Sequence, residues 1–304
     1  MAHLKVLRPL NLFIVAFTQA ILFYLIYTPS VKQAVLSFNE FWLLVLCTVI
    51  IAAAGYLIND IYDHTADIVN KPDKTWVGVK ISYSNAWTYY FTLLITGFII
   101  AIYLGWQTDN LPLISLYPLA CTALWLYANT LKRSGLAGNM IVAMMTSFVC
   151  VILIIAERKV LFQPENFKVL SLFLGFSWFS FLVNIIREWV KDMEDMEGDR
   201  LLHSASMPIR KGIPFVKICC FIAVAVCILS VVFFVYTIPH TFHQKIFALV
   251  FVVAPLVKVA TQIQKSRDAV DFHKGASGLK LIMMLGLIYL MLFSPIITLY
   301  GNIK

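Results

Sequence analysis

The sequence predicts an all-α integral membrane protein in which nine transmembrane helices form one bundle. Hydrophobic residues make up 61% of its 304 residues and charged residues only 13%, whereas soluble domains are about 45 to 50% apolar and about 25% charged. Long charge-free segments alternate with short charged ones, which excludes soluble, disordered and fibrous proteins. The net charge of +8 is spread over these short segments. It therefore indicates membrane topology rather than nucleic-acid binding.

Charge-free runs of about 18 to 20 residues or more are long enough to cross a bilayer core. Eight runs meet this length: 9–31, 41–59, 81–108, 110–131, 134–156, 169–186, 218–244 and 281–303. The first run exceeds the apolar region of a signal peptide and lacks an Ala-x-Ala cleavage site, so we predict a retained helix. A ninth candidate, 246–257, is short and reaches a spanning length only if it extends past Lys258 to Ile263.

The Lys and Arg residues divide unequally between the two sides of this bundle. With nine helices and the N-terminus inside, 18 of the 24 fall in cytoplasmic segments and six fall outside. Omitting the eighth helix would merge an outside loop with an inside one, so the bias supports nine helices. We predict a multi-pass protein of the bacterial inner (plasma) membrane, with its N-terminus and active-site loops in the cytoplasm.

Two aspartate triads with the same spacing follow the second and sixth predicted helices. They are Asp60, Asp63 and Asp67, and Asp192, Asp195 and Asp199. Positions i, i+3 and i+7 share one face of a helix, with neighbouring Cβ atoms about 5 to 6 Å apart, so the carboxylates converge and repel unless a cation binds. The triads are 132 residues apart. This separation predicts two four-helix pseudo-repeats and one additional helix.

Oxygen ligands without accompanying Cys or His favour Mg²⁺. Because Mg²⁺ commonly binds one or two carboxylates together with substrate phosphates, the triads also predict a phosphorylated substrate. Basic residues that neutralise a diphosphate lie near the triads or in the intervening loop on the same side. These are Lys71, Lys74, Lys132, Arg133, Arg210 and Lys211. Each of them alone is also explained by the excess of positive charge on the cytoplasmic side.

Three segments resemble signatures of the UbiA superfamily of intramembrane prenyltransferases. Residues 59–67, NDIYDHTAD, followed by NKPDK at 70–74, resemble the first signature, and residues 187–199, REWVKDMEDMEGD, resemble the second. Residues 127–133, with Gly138 and Asn139, are similar to the loop after the fourth helix of the family. The resemblance extends over about residues 9–300. It implies a single domain over 1–304, a nine-helix bundle whose central cavity opens laterally to lipid, with aspartate motifs at 59–67 and 192–199.

The resemblance also assigns roles to residues that match the family motifs. The Mg²⁺ ligands it implies are Asn59, Asp60, Asp63, Asp67, Asp192, Asp195 and Asp199. The diphosphate-binding residues it implies are Asn59, Lys71, Lys74, Lys132, Arg133, Lys191, Arg210 and Lys211. The catalytic residues it implies are Asp63, Asp195 and Tyr127. The ring of Tyr127 would lie near the reacting prenyl carbon, where it can stabilise an allylic cation.

The reaction implied is Mg²⁺-dependent transfer of an isoprenyl group from an isoprenyl diphosphate to a lipophilic acceptor in the membrane. The acid-rich second motif most resembles members that transfer a geranylgeranyl group to the free hydroxyl of geranylgeranylglyceryl phosphate in ether-lipid synthesis. Residues 75–78 replace a Pro-containing turn of those relatives, so an aromatic acceptor, as in quinone, haem O or chlorophyll synthesis, is the alternative. We expect no nucleic acid and no obligate protein partner.

A secondary transporter is a further alternative, because transporters also carry duplicated acidic residues in helical bundles. In a transporter, however, these residues belong near the bilayer midplane, in helices that Gly or Pro interrupts. Both triads in this sequence lie at helix ends beside Lys and Arg. This position favours the transferase.

Overall fold

The computed structural model describes residues 5–70, 73, 75–201, 204–238 and 241–295. Within these residues nine helices are long and apolar enough to cross a membrane, as predicted. They are α1 (Pro9–Tyr27), α2 (Phe38–Tyr62), α3 (Tyr83–Gln107), α4 (Leu111–Asn129), α5 (Leu136–Ala156), α6 (Pro164–Glu194), α7 (Ile213–Thr237), α8 (Phe242–Lys265) and α9 (Ala269–Met291). The chain is therefore an integral, multi-pass membrane protein.

Shorter helical segments lie within and between these spans. The second half of α1, Ile21–Tyr27, and the middle of α8, Ala248–Val253, are π-helical, and α6 begins with the 3₁₀ turn Pro164–Asn166. The connecting helices are His64–Asn70, Leu131–Ser134, Arg158–Leu161, Met196–Leu201 and Met207–Lys211. Four of them, one after α2, one after α4 and two after α6, lie at one end of the bundle, which we call the motif face.

Polar side chains cap the start of several spanning helices. At α2, Ser37 Oγ accepts from the backbone N–H of Glu40 while the Glu40 carboxylate accepts from the backbone N–H of Ser37. Thr241 forms the same reciprocal pair with Gln244 at α8, and Asp268 caps α9. Such caps satisfy backbone donors that have no partner within the helix.

The last helix differs from its prediction. A charge-free run at 281–303 predicted it, but α9 spans Ala269–Met291 and includes Lys274 and Lys280. Lys280 Nζ points into the bundle and donates to Asn11 Oδ1 at 2.9 Å. A charge that faces a polar interior does not end a helix whose other faces contact lipid, so counting charge-free residues placed this helix too late.

The eighth helix confirms the span that was predicted from the short charge-free run 246–257. α8 has 24 residues, and at 1.5 Å per residue it is about 36 Å long, enough to cross the bilayer core. The preceding helix, α7, begins before Lys217, which lies inside its first turns. Lys217 Nζ donates to the carbonyls of Gln264 and Ser266 at 2.9 and 2.6 Å, so α7 is tied to the end of α8.

The spanning helices form two halves around a central cavity. In the first half α2 packs against α1, α3 and α4, and in the second half α6 packs against α5, α7 and α9. α2 and α6 are the most buried spans, and they are the two helices that the predicted pseudo-repeats place in corresponding positions. Residues of α1 to α6 and of α9 line the cavity, which extends along α2 from Asn59 at the motif face to Leu44 near the opposite face.

Candidate active site

The middle aspartate of each triad ends its helix in the same conformation. Asp63 is the C-cap of α2 with φ −90° and ψ −1°, and Asp195 is the C-cap of α6 with φ −91° and ψ 9°. The chain turns at each residue and enters a short helix, His64–Asn70 or Met196–Leu201, and these two helices contact each other. The fold thus brings both triads together at the motif face. Each triad is divided between two helical segments rather than aligned on one continuous helix.

Basic residues contact the first triad. Arg8, just before α1, donates through Nη2 to Asp60 Oδ1 at 2.6 Å. Lys132, in the turn after α4, forms an ion pair with Asp63. Burial by itself would lower the pKa of Lys132, but the negative charges of Asp63 and Asp67 outweigh it, and the Lys132 pKa is raised. Lys132 therefore remains a full positive charge beside the first triad.

A side-chain amide donates a hydrogen bond to the second triad. Asn139, near the start of α5, donates through Nδ2 to Asp192 Oδ2 at 2.8 Å. Asp199 is half-buried in the short helix after α6, and burial raises the pKa of its carboxyl group. Asp195 and Asp199 are near enough to interact electrostatically. The carboxylates of this triad are thus crowded into a poorly hydrated region, which favours binding of a cation.

The backbone of the turn 131–134 is fixed by a close approach to α5. A Cβ atom added to Gly138 would lie 2.5 Å from the carbonyl oxygen of Leu131 and 3.0 Å from Lys132 Cα. Gly135, which precedes α5, has a φ of 74°, a left-handed conformation that favours glycine. The two glycines therefore let the turn that carries Lys132 pack directly on the start of α5.

Tyr127 and Asn59 both line the motif end of the cavity. Tyr127 is buried and interacts electrostatically with Lys132, Asp63 and Asp192, so it lies near both triads. Asn59 Oδ1 is a buried acceptor that no described residue contacts with a hydrogen bond. A buried acceptor without a protein donor is a position where a cation or a ligand donor fits.

The oxygen ligands fit Mg²⁺ that is shared with a phosphate. Among the described residues, no three Asp, Glu, His or Cys side chains gather closely enough to hold an ion by themselves. Mg²⁺ nevertheless commonly uses one or two carboxylates together with substrate phosphates. The carboxylates of the two triads and the unpartnered Asn59 Oδ1 supply ligands of that type. The site fits a cation bound jointly with a diphosphate, and not a cage formed by protein alone.

The other predicted diphosphate-binding residues differ in their positions. Lys191 lines the cavity and donates to the buried Glu188 at 3.5 Å. Arg210 and Lys211 lie on the short helix Met207–Lys211, are exposed, and do not line the central cavity. Three predicted groups lie outside the described part of the chain: Lys71, Lys74 and the side chain of Arg133.

Some charged residues also line the cavity although the sequence analysis explained them only by the distribution of charge across the membrane. They are Arg8, Arg187 and Lys280. For Lys280, a signal was present in the sequence, because it follows five uncharged residues and precedes a long apolar run. For Arg8 and Arg187, only the packing of helices distant in sequence shows that their side chains face a shared interior.

Comparisons with proteins of known sequence agree with this arrangement. The model of the UbiA prenyltransferase family matches residues 17–279. A digeranylgeranylglyceryl phosphate synthase from Methanosphaera stadtmanae is 27% identical over 292 residues, which cover 94% of this chain and 96% of the relative. The synthase of the same name from Sulfolobus acidocaldarius is 32% identical over 172 residues, which cover 57% of this chain and 58% of the relative.

Solved structures share the fold. A structure of digeranylgeranylglyceryl phosphate synthase in membranes has a TM-score of 0.68 at 22% identity, and 96% of each chain is covered. A UbiA homologue from Archaeoglobus fulgidus bound to DMAPP and Mg²⁺ has a TM-score of 0.62 at 14% identity, with 95% of this chain and 99% of that chain covered. The match of the family model over most of the chain, together with the nine-helix fold, shows that this protein belongs to the UbiA prenyltransferase family.

Proposed function

We propose that this protein transfers a geranylgeranyl group from geranylgeranyl diphosphate to the free hydroxyl of geranylgeranylglyceryl phosphate, in an Mg²⁺-dependent reaction. The observation that carries this proposal is that both aspartate triads lie at the same end of a bundle that encloses a long, largely apolar cavity. Such a site binds an anionic head group at the motif face and a hydrocarbon tail within the bundle. The curated relatives named digeranylgeranylglyceryl phosphate synthase support this choice of acceptor.

The motif end of the cavity would hold the diphosphate. Bound Mg²⁺ would supply positive charge that neutralises the leaving group, and a structure of a UbiA homologue bound to DMAPP and Mg²⁺ supports this requirement. The metal ligands we propose are Asn59, Asp60, Asp63, Asp67, Asp192, Asp195 and Asp199. The side chains of Lys132 and Lys191 face the same region, and they would stabilise the negative charge that develops as the diphosphate departs.

The reacting carbon would lie next to Tyr127. Tyr127 is buried where the cavity meets the triads, so its ring can stabilise positive charge that develops at the allylic carbon. Beyond it the walls are largely apolar and include Leu124, Phe176 and Met284. These side chains exclude water, which would otherwise capture the allylic cation.

The length of the cavity suits a chain of four isoprene units. Asn59 and Leu44 both line it and are separated by 15 residues of α2, which corresponds to about 22 Å at 1.5 Å per residue. An extended chain of about 16 main-chain carbons advances roughly 1.3 Å per bond and measures roughly 20 Å. Leu104, Leu113 and Ile152 line the end farthest from the triads and would limit the length of the chain.

For the membrane location, we propose the plasma membrane, with the motif face and the N-terminus in the cytoplasm. The distribution of Lys and Arg supports this orientation, and a bacterial host stays a prediction. Labelling of cysteines introduced separately by Asp109→Cys and Arg210→Cys, on opposite faces of the bundle, would test it in intact cells, with the six native cysteines replaced. Labelling of the Arg210 variant from outside would reverse the assignment.

The decisive experiment measures the product directly. Purified protein would be incubated with Mg²⁺, labelled isoprenyl diphosphates of several lengths, and a panel of acceptors that includes geranylgeranylglyceryl phosphate, hydroxybenzoate, dihydroxynaphthoate and haem B. We expect a digeranylgeranyl ether product that disappears when Mg²⁺ is chelated. A prenylated aromatic product would replace the proposed acceptor. Absence of transfer to any acceptor, together with flux of substrate into vesicles, would indicate a transporter.

A further inference from the structure

Lys280 is a positive charge in the middle of a spanning helix that faces the cavity. It lies in α9 and lines the cavity together with residues of α1, α2 and α6. Its Nζ donates at 2.9 Å to Asn11 Oδ1 of α1. Among the described residues, Lys280 has no carboxylate partner within salt-bridge distance. A charged side chain inside a membrane protein is costly unless it is paired or functional.

The remaining charges at this end of the cavity leave an excess of positive charge. Arg187 Nη1 donates to Glu188 Oε1 at 2.8 Å, and Lys191 shares the same carboxylate at 3.5 Å. Arg8 is already paired with Asp60. Arg187 and Lys280 lie close enough for their charges to repel each other. One buried carboxylate therefore serves two cations, and the added charge of Lys280 calls for an anion.

This excess charge lies where α1 and α9 come together. Close packing between these helices involves the second half of α1, Ile21–Tyr27. Nearer the motif face, the hydrogen bond between Lys280 and Asn11 joins them. Asn11 also lies beside the hydroxyl of Tyr56, and the guanidinium of Arg8 lies over the Tyr56 ring at 4.9 Å from its centroid. Lys280 thus belongs to a polar cluster with Asn11 and Arg187, whereas Lys132 pairs with Asp63.

We propose that Arg187 and Lys280, with Asn11, form a binding site for the phosphate monoester of the lipid acceptor. This inference rests on the proposed function, and it assigns the acceptor a site distinct from the diphosphate site of the donor. A phosphate monoester carries a charge of about −1.5 to −2 and three acceptor oxygens, which matches one unpaired ammonium and one partly paired guanidinium. In a glyceryl phosphate the free hydroxyl is close to the phosphate, so anchoring the phosphate positions the nucleophile.

The binding test separates the phosphate from the rest of the acceptor. Full-length protein in nanodiscs of phosphatidylcholine would be titrated with geranylgeranylglyceryl phosphate and, separately, with geranylgeranylglycerol. We expect Lys280→Gln to weaken binding of the phosphate about 10- to 100-fold, the usual range for a lost hydrogen bond to a charged group. Binding of the alcohol should not change. Lys280→Arg should restore most of the affinity, and Lys274→Gln, which removes an exposed charge on the same helix, should behave as wild type.

Three results would overturn the assignment. Equal losses for the phosphate and the alcohol in Lys280→Gln would show a purely structural role. Weaker binding of geranylgeranyl diphosphate, with the acceptor unaffected, would place Lys280 in the donor site. If phosphatidic acid displaced bound geranylgeranylglyceryl phosphate as effectively as the unlabelled acceptor does, the anion at this site would be a bulk lipid and not the acceptor. Because binding is measured without turnover, failure of transfer in the product assay would contradict the proposed function while leaving this test intact.

Discussion

Asp63 and Asp195, which are 132 residues apart in the sequence, adopt nearly the same backbone conformation at the ends of α2 and α6. The backbone N–H of each donates to the carbonyl four residues earlier, at 2.8 Å in both cases. The following helices, His64–Asn70 and Met196–Leu201, then contact each other. Both aspartates therefore stand at helix ends that meet at the motif face, and each is followed directly by one of the two short helices in contact.

We expect Asp63→Asn and Asp195→Asn each to reduce Mg²⁺-dependent transfer by at least about 100-fold, because each removes a charge that holds the leaving group. Neither should reduce the amount of protein in the membrane fraction. Initial rates with labelled geranylgeranyl diphosphate would measure the loss. Asp109→Asn is the matched control, since Asp109 lies on the opposite face with its side chain 94% exposed. Full activity in both aspartate variants would exclude the proposed site.

Lys132→Gln should lower kcat/KM for the isoprenyl diphosphate about 10- to 100-fold, because it removes the cation paired with Asp63. Arg210→Gln should cost less than about fivefold, since exposed charge pairs contribute about 0 to 1 kcal/mol. Steady-state kinetics with varied donor concentration would compare the two variants. A larger loss for Arg210→Gln would mean that the short helix Met207–Lys211 moves onto the substrate.

Gly138→Ala should raise the KM for the diphosphate and destabilise the protein by about 1 to 3 kcal/mol, because the added methyl group would collide with the backbone at Leu131 and Lys132. The collision displaces the turn that carries the Lys132 ammonium group. Donor titrations and thermal unfolding in detergent would measure the two effects. Ala137→Ser, an exposed change at the adjacent position, should leave both unchanged, and unaltered kinetics in Gly138→Ala would contradict the role assigned to this contact.

Ile51→Trp should shift donor preference from geranylgeranyl to geranyl diphosphate. Ile51 lines the cavity eight residues along α2 from Asn59, or about 12 Å, so a bulky ring there would block a long chain but admit a short one. The ratio of rates with the two donors is the measurement. Leu46→Trp, on the exposed side of the same helix, is the control. An unchanged ratio would show that the tail lies elsewhere.

We expect the stability of the folded protein to depend on pH through Glu157, which lies far from the triads. Its carboxylate is buried after α5 and accepts hydrogen bonds from the Tyr27 hydroxyl and from the backbone N–H groups of Val35 and Leu36. Burial raises the pKa of Glu157, although these hydrogen bonds oppose the shift. A raised pKa in the folded state contributes stability below the ordinary carboxyl pKa, and this contribution is lost as the pH rises through the folded pKa.

The melting temperature in detergent, measured from acidic to neutral pH, tests this prediction. The advantage of the wild type over Glu157→Gln should be greatest at acidic pH and should decline as the pH rises. Glu165→Gln, a change at an exposed carboxylate in the first turn of α6, is the control. An advantage that grows with pH would mean that the hydrogen bonds outweigh burial.

Most of the helices follow from hydrophobicity alone, because a bilayer requires long apolar segments whose backbone groups bond internally. The predicted helix boundaries are wrong where a charged side chain faces the interior of the bundle. Lys217 and Lys280 interrupt charge-free runs, yet both lie inside helices, since each finds a polar partner in another part of the chain. The partners are 47 and 269 residues away, and no local pattern reveals such contacts.

The sequence by itself determined that the protein spans the membrane nine times and that two matching aspartate motifs lie at helix ends, because both properties depend on local composition and spacing. Only the tertiary structure decided what each charge contacts. It paired Asp60 with Arg8 and Asp63 with Lys132, left Arg210 and Lys211 on the surface, and directed Lys280 into the cavity. These outcomes depend on the packing of helices that are distant in sequence, because that packing sets the direction and the burial of every charged side chain.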